Sequence, residues 1–207
     1  AERTAEEAGV AAERARVLLV AFAGLSLLVA LLLAHSLGDA MAKSAELVRQ
    51  FAELARVDVL TGLPNRRAWD EELVKGLHRA RRTGLPCAVA MIDLDHFKRF
   101  NDTFGHRRGD ALLRATAQAL AARLRAGDLI ARYGGEEFAV LLHGCDGGNA
   151  VKFFERLHRA APEGQTFSAG VTESAGREED GEVVQRADDS LYRAKAGGRN
   201  RTVVSGR

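Results

Sequence analysis

The sequence predicts an α+β domain with a β-α-β-β-α-β core and extra helices, preceded by a membrane-crossing helix and a stalk helix. Three observations carry that prediction. Residues 17–38 contain no Asp, Glu, Lys or Arg. The apolar runs 129–133 and 138–142 flank Gly134-Gly135, and two glycines between apolar runs read as a tight hairpin, because such turns need positive φ. The apolar runs 87–94 and 166–172 alternate with stretches of helical period. A length of 207 residues allows one domain or at most two. With 46% hydrophobic and 28% charged residues, the composition is that of an ordinary globular protein, which excludes disordered and collagen-like classes. Two cysteines exclude a framework of several disulfides and a four-cysteine zinc site. A net charge of +2 is too balanced for nucleic acid to be the main partner.

Residues 1–16 are rich in Ala, Glu and Arg and read as a helix running into the uncharged segment. Val17 to Ala34 consists of Ala, Val, Leu and Phe interrupted only by Gly24 and Ser26, and His35, Ser36, Leu37 and Gly38 extend it. At ~1.5 Å per residue, about 20 helical residues cross a hydrocarbon core, so residues 17–38 read as a transmembrane helix. A signal peptide and a helix buried in a larger core are the competing readings. The flank with Glu2, Glu6, Glu7 and Glu13 against Arg3, Arg14 and Arg16 is net negative, unlike the basic leader of a signal peptide. The chain begins with Ala, which reads as a processed protein or a fragment of something longer. Over residues 39–57, Leu47, Phe51 and Leu54 form the stripe of an amphipathic or short coiled-coil helix. It is either a helix packing on its own domain or a parallel dimer stalk.

Residues 58–207 form the slightly basic soluble domain. Leu63-Pro64-Asn65 starts a helix to about Arg82, and Thr83-Gly84-Leu85-Pro86 ends it. Residues 87–94 are a buried strand ending in acid. Gly109-Asp110 starts the next helix with Asp110 as its N-cap, Leu112, Leu113, Ala117, Leu120 and Leu124 line its inner face, and Gly127 ends it. The hairpin follows, then a helix over about 149–160, a strand at 166–172, a helix over about 182–196 and a short strand at 202–204. This is the ferredoxin-like, or palm, order. In its usual spatial arrangement the first strand lies between the second hairpin strand and the last strand of the core. Asp93 then sits beside the hairpin turn, and Asp93, Asp95, Glu136 and Glu137 form an acidic cluster with Lys98 close by. Crowded carboxylates repel one another unless a cation neutralises them, and hard oxygen ligands suit Mg²⁺ or Mn²⁺ bridging to phosphates. Solvated acids at strand ends and turn tips are the plain alternative.

Gly134-Gly135-Glu136-Glu137-Phe138 resembles the signature of the GGDEF family of diguanylate cyclases, in its GGEEF form. The likeness extends to Asp58-Val-Leu-Thr-Gly-Leu-Pro-Asn65-Arg66-Arg67, to the block from Ile92-Asp93-Leu94-Asp95-His96-Phe97-Lys98 through Asn101-Asp102 and Gly105-His106 to Gly109-Asp110, to Phe167-Ser168-Ala169-Gly170-Val171, and to Ala187-Asp188, Leu191-Tyr192, Ala194-Lys195 and Gly198-Arg199-Asn200. It covers nearly all of residues 58–207, in order.

The resemblance implies condensation of two GTP into cyclic di-3′,5′-GMP with release of two pyrophosphates, using two Mg²⁺ or Mn²⁺ per active site. It implies metal binding by Asp93, the Leu94 carbonyl and Glu136, with Glu137 assisting. Glu136 also matches the residue that takes the 3′-hydroxyl proton, and Lys98 the one that stabilises charge on the phosphates. Lys195 and Arg199 match distal phosphate contacts. Asn101 and Asp110 match guanine-binding positions, with Phe97, Leu113, Gly134 and Gly135 also on the substrate side. Asp110 can accept from guanine N1–H and N2 and would be left unpaired by adenine, which argues for GTP over ATP; a plain helix cap is the alternative.

Arg125-Ala-Gly-Asp128 matches the family's inhibitory product-binding motif in place and spacing, and a helix-end salt bridge is its plain alternative. One site holds one GTP and the product joins two, so activity requires a homodimer, whose geometry the stalk would set. GTP is cytosolic, which puts the catalytic domain in the cytoplasm, the single span in the inner membrane and residues 1–16 outside, with an upstream span and sensor expected. A non-catalytic, membrane-anchored cyclic di-GMP receptor is the alternative function. Cys87, Cys145, His96, His106, Trp69 and Phe51 read as structural, and Arg66-Arg67 as either ordering the domain entrance through Asp58 or solvated.

Overall fold

The computed structural model describes residues 56–174 and 178–205, together with residues 16, 19, 22, 24, 26–28 and 30–44 near the N-terminus. The chain divides into two units, Ala1–Ala55 and Arg56–Arg207. In the first, helix α1 (Ser26–Ser44) is 19 residues long, has no buried residue among those described, and is long and apolar enough, by length and composition, to cross a membrane. It overlaps the span read from the charge pattern. Residues 1–15, several of 17–25, and residues 45–55 with the stalk stripe of Leu47, Phe51 and Leu54, lie outside the described residues.

The second unit contains α2 (Arg66–Thr83), β1 (Cys87–Leu94), α3 (Phe97–Phe104), α4 (His106–Ala121), β2 (Leu129–Gly134), β3 (Glu137–His143), α5 (Gly147–His158), a 3₁₀ turn (Pro162–Gly164), β4 (Phe167–Ser174), α6 (Asp180–Ala196) and β5 (Thr202–Val204). The strands form one sheet in the order β2-β3-β1-β4-β5, antiparallel except for the β4–β5 pair. β1 lies between β3 and β4, the placement predicted from the core order.

Side-chain alternation along the strands divides the core in two. Ala88, Ala90, Ile92 and Leu94 of β1, Phe138, Val140 and Leu142 of β3, and Phe167, Ala169 and Val171 of β4 pack on one face with Leu112, Ala117 and Leu120 of α4 and Phe154 and Leu157 of α5. Cys87, Val89 and Met91, with Ala139 and Leu141, pack on the other face against Trp69, Leu73 and Leu77 of α2 and Val183, Ala187 and Leu191 of α6. Helices on both faces explain why β1 reads as an unbroken apolar run rather than an alternating one.

Several elements follow from local chemistry. Asn65 caps α2 by accepting from the Ala68 N–H, at 3.0 Å. Asp146 caps α5 in the same way through the Asn149 N–H, at 2.7 Å.

Three expectations change. The helix expected to begin at Asp110 begins at His106, so Asp110 lies within it and is not its N-cap. Gly105, at φ 82° and ψ 156°, is the joint between α3 and α4, a conformation costly for any residue with a Cβ. The same helix stops at Ala121 rather than Gly127. Arg123 N–H to Leu120 O and Leu124 N–H to Ala121 O, both 3.1 Å, tighten the chain out of α-helix. The hairpin turn lies one residue later than the glycine pair. Gly134 completes β2, and Gly135, at φ 40°, with Glu136 makes the loop, so only the second glycine needs positive φ.

Candidate active site

The carboxyl end of β1 meets the hairpin turn. Asp93 is the cross-strand partner of Glu137 on one side and of Ser168 on the other. The Leu94 N–H reaches the Glu136 carbonyl at 3.3 Å. Carboxylates more than forty residues apart in sequence therefore share one sheet edge because β1 is the central strand. Lys195, near the end of α6, places Nζ 2.7 Å from Asp93 Oδ2; the two side chains are 32% and 14% exposed, so the pair is only partly wet.

The electrostatics are those of an edge with surplus negative charge. Burial, and then the charge of Asp93, push the Glu137 carboxyl above its ordinary value, while Lys195 pulls the other way. Burial, then Asp189, raise the Asp188 carboxyl on α6, opposed by Lys195 and Arg66. Burial raises the Tyr133 phenol, over whose ring the Arg66 guanidinium lies at 4.4 Å.

Such a donor set fits Mg²⁺ or Mn²⁺. It is all oxygen, and its members repel one another without a cation. Among the described residues no group of three or more His, Cys, Asp or Glu converges to hold a metal alone. Two carboxylates plus a backbone carbonyl leave positions for water and substrate phosphate, the way Mg²⁺ is usually held.

Asp95 does not join this cluster. It lies one residue beyond the end of β1, is 3% exposed, and accepts from Ser168 Oγ at 2.7 Å, Thr166 Oγ1 at 2.8 Å and the Asn200 N–H at 3.0 Å. Lys98 is exposed on the first turn of α3.

The α3–α4 joint brings Asn101 and Gly109 together. Asn101 Oδ1 is buried with no hydrogen-bond partner among the described residues, and a Cβ on Gly109 would lie 1.8 Å from it. Gly109 is thus there for a close approach, not to start a helix. Asp110 is exposed on the following position; Phe97 and Leu113 are buried in the adjoining core. Arg199 follows α6 at φ 63°, exposed, with its N–H on the Ala194 carbonyl at 3.0 Å.

Arg125 and Asp128 lie apart from this edge, beside a cleft of about 370 Å³ also lined by Arg123, Lys152, Phe153 and Arg156. The helix-end ion pair is formed, with Arg125 Nε 3.1 Å from Asp128 Oδ2. Arg125 Nη2 also donates to the His143 carbonyl at 2.7 Å, and Asp128 Oδ1 accepts from the His143 N–H at 3.0 Å. Asp128 is 5% exposed and Arg125 64%, so the arginine is the freer of the two.

Sequence reasoning passed over Arg132. Its Nε and Nη2 donate to the Gly135 carbonyl at 3.0 and 2.7 Å, and its Nη1 lies 3.1 Å from both oxygens of Asp58. Asp58 in turn accepts from Thr61 N–H and Oγ1, closing the 58–63 loop. Burial, the largest single effect, raises its carboxyl, but the two Thr61 bonds and Arg132 together outweigh it and hold the carboxyl below the ordinary value. Arg132 is therefore a partner of Asp58 across the fold. A cation inside an otherwise apolar strand was the available clue. Burial pushes the Cys87 thiol up to about 11, which suits a core residue rather than a reactive one.

The family described as "Diguanylate cyclase, GGDEF domain" matches residues 55–201. Diguanylate cyclase DgcP of Pseudomonas aeruginosa is 45% identical over 161 residues, covering 73% of this chain and 24% of that protein. Response regulator PleD of Caulobacter vibrioides is 42% identical over 164 residues, covering 73% of this chain and 36% of that one. The chain thus spans about a quarter to a third of the length of these relatives. Among solved structures, the coiled coil and GGDEF domain of DgcB from Caulobacter crescentus, in complex with c-di-GMP, gives a TM-score of 0.69 at 31% identity, over 84% of this chain and 99% of that one. Diguanylate cyclase SiaD of Pseudomonas aeruginosa, in complex with its activator SiaC, gives 0.70 at 32% identity, over 99% and 88%.

Proposed function

The chain belongs to the GGDEF-domain family of diguanylate cyclases, and from that premise we propose that it condenses two GTP into cyclic di-3′,5′-GMP and two pyrophosphates. One observation carries the reading: Asp93 and Glu137 face each other across β1 and β3 while the Glu136 carbonyl is tied to Leu94, so the acids gather at one edge.

Asp93, Glu136 and the Leu94 carbonyl, with Glu137 beside them, would hold divalent metal, Mg²⁺ or Mn²⁺ and two ions per site, which would lower the pKa of the 3′-hydroxyl and offset charge on the triphosphate. Glu136 accepts the 3′-hydroxyl proton. The freed oxygen forms a bond to the α-phosphorus of the second GTP, and the bond from that phosphorus to the α,β-bridging oxygen breaks, releasing pyrophosphate. The second linkage forms in the same way, with the roles of the nucleotides exchanged. Lys98, Lys195 and Arg199 hold the departing phosphates. Asn101 and Asp110 read guanine; the buried, unpartnered Asn101 Oδ1 is an acceptor awaiting a donor.

Two antiparallel nucleotides need two facing domains, so the active form is a homodimer. Product bound at Arg125 and Asp128 inhibits the enzyme, supported by the cationic cleft beside them and by the exposure of Arg125. The N-terminal apolar helix anchors the chain in the inner membrane, with the catalytic domain on the cytoplasmic side where GTP is found. The test is product formation from GTP and Mg²⁺, with Glu136→Gln as the control. The variant should lose at least about 100-fold in turnover, the lower range for a positioned general base. Wild-type turnover in the variant would overturn the assignment of Glu136.

A further inference from the structure

We propose that Asp95 is a positioning residue for the phosphate-binding end of the site: its buried carboxylate holds the 198–200 turn, and through it Arg199, in register with the end of β1 that carries Asp93. This rests on the reading of Arg199 as a phosphate contact.

Three donors from two segments of chain, the start of β4 and the 198–200 turn, converge on this one carboxylate. Oδ1 accepts from Ser168 Oγ, and Oδ2 from Thr166 Oγ1 and from the Asn200 N–H. The backbone of Asp95 is fastened as well. Its N–H donates to the Thr166 carbonyl at 2.9 Å, and its carbonyl accepts from Gln165 Nε2 at 2.6 Å. Among the described residues it has no ion-pair partner. A buried carboxylate is costly unless donors satisfy its lone pairs, and here three donors do so.

The turn it holds is not one that the chain adopts freely. Gly198, Arg199 and Asn200 have φ of 111°, 63° and 47°. Two successive residues with a Cβ in the left-handed region require fixed partners. Those partners are the Ala194 carbonyl for the Arg199 N–H, Arg201 Nε at 3.0 Å for the Arg199 carbonyl, and Asp95 for the Asn200 N–H. Of these, only Asp95 belongs to the β1 end of the sheet. Ser168, which it also holds, is the direct cross-strand partner of Asp93. Asp95 therefore fixes the distance between the metal-binding carboxylate and the backbone from which Arg199 projects. The Asn200 N–H can only donate, so the atom that faces it must be an acceptor; Asn at this position keeps one such oxygen but loses the charge-assisted strength of the carboxylate bonds.

The test is a double-mutant cycle on the full chain. Affinity for guanosine 5′-(α,β-methylene)triphosphate with Mg²⁺, which cannot release pyrophosphate, is measured for wild type, Asp95→Asn, Arg199→Ala and the double variant. Asp95→Asn and Arg199→Ala should each weaken binding about tenfold, the loss of one charge-assisted contact. The double variant should bind no more weakly than Arg199→Ala, because the two act as one unit. In Asp95→Asn the Asn200 amide should exchange hydrogen faster, with Trp69 fluorescence unchanged. Additive losses, unchanged affinity, or unchanged exchange at Asn200 would overturn the proposal. Should Asp95→Asn fail to fold, Thr166→Val removes one bond to the same carboxylate and must show the same non-additivity on a smaller scale. A wild-type chain that binds the analogue but makes no product from GTP would refute the catalytic reading, while the cycle still decides the role of Asp95.

Discussion

Substituting Gly170 by Ala isolates the packing that brings α6, and with it Lys195, onto the sheet. A Cβ at Gly170 would lie 2.1 Å from the Ala187 carbonyl oxygen, 2.1 Å from the Leu191 nitrogen and 2.8 Å from the Leu191 Cα. The first two atoms are the acceptor and donor of one turn of α6, so the methyl group meets a helix hydrogen bond edge-on. No side chain can swing aside; either that bond breaks or the helix lifts. Lifting α6 opens a gap along Val183, Ala187 and Leu191, all buried against the sheet. Overpacking of this kind costs about 1–3 kcal/mol, and disturbing a buried backbone bond about 1–3 more. A total near 3 kcal/mol corresponds to a fall in Tm of roughly 6–12 °C for a chain of this size. Trp69 is the only tryptophan and is fully buried, so its fluorescence in urea reports the transition directly. A loss of less than about 0.5 kcal/mol, the range of ordinary surface substitutions, would refute the close-approach argument.

Gly134→Ala is the contrasting case. Its Cβ would have only Glu137 Oε2 nearby, at 3.8 Å, so stability should stay within about 0.5 kcal/mol of wild type while turnover drops; full turnover would show that the nucleotide does not approach this backbone. Arg125→Ala should relieve product inhibition in a titration with cyclic di-GMP, and an unchanged inhibition curve would remove Arg125 from that role. Burial lowers the His158 and His143 imidazole pKa values, against the opposing charges of Asp95 and Asp128. The unfolded chain therefore takes up protons more readily, so stability is full above the ordinary histidine value of 6.5 and falls as pH drops through the lower folded values. Urea midpoints at pH 7 and pH 5 check this, and His158→Gln should reduce the difference.

The strands and the hairpin were legible because their evidence is local: unbroken apolar runs and a glycine pair between two of them. The meeting of Asp93 with the turn followed from topology alone, once β1 was placed at the centre. Asp95 was misread for a definite reason. It was grouped with Asp93 by its nearness in sequence, but β1 ends at Leu94 and the carboxylate beyond it bonds to Thr166, Ser168 and Asn200. The joint at Gly105 and the packing roles of Gly109 and Gly170 were hidden because a glycine's neighbours across the fold do not show in its own sequence context. Arg132 was hidden likewise, since its partners Asp58 and Gly135 are fixed only by the sheet. The long apolar helix near the N-terminus was visible in charge alone, whereas the stalk stripe falls on residues 45–55, outside the described residues.

Incubating the full chain with GTP and Mg²⁺ and quantifying every nucleotide product tests the central claim most directly. The account predicts cyclic di-GMP with two pyrophosphates released for each molecule formed, and no cyclic dinucleotide from ATP. Intact GTP together with tight binding of cyclic di-GMP, or hydrolysis to GDP and phosphate, would contradict it.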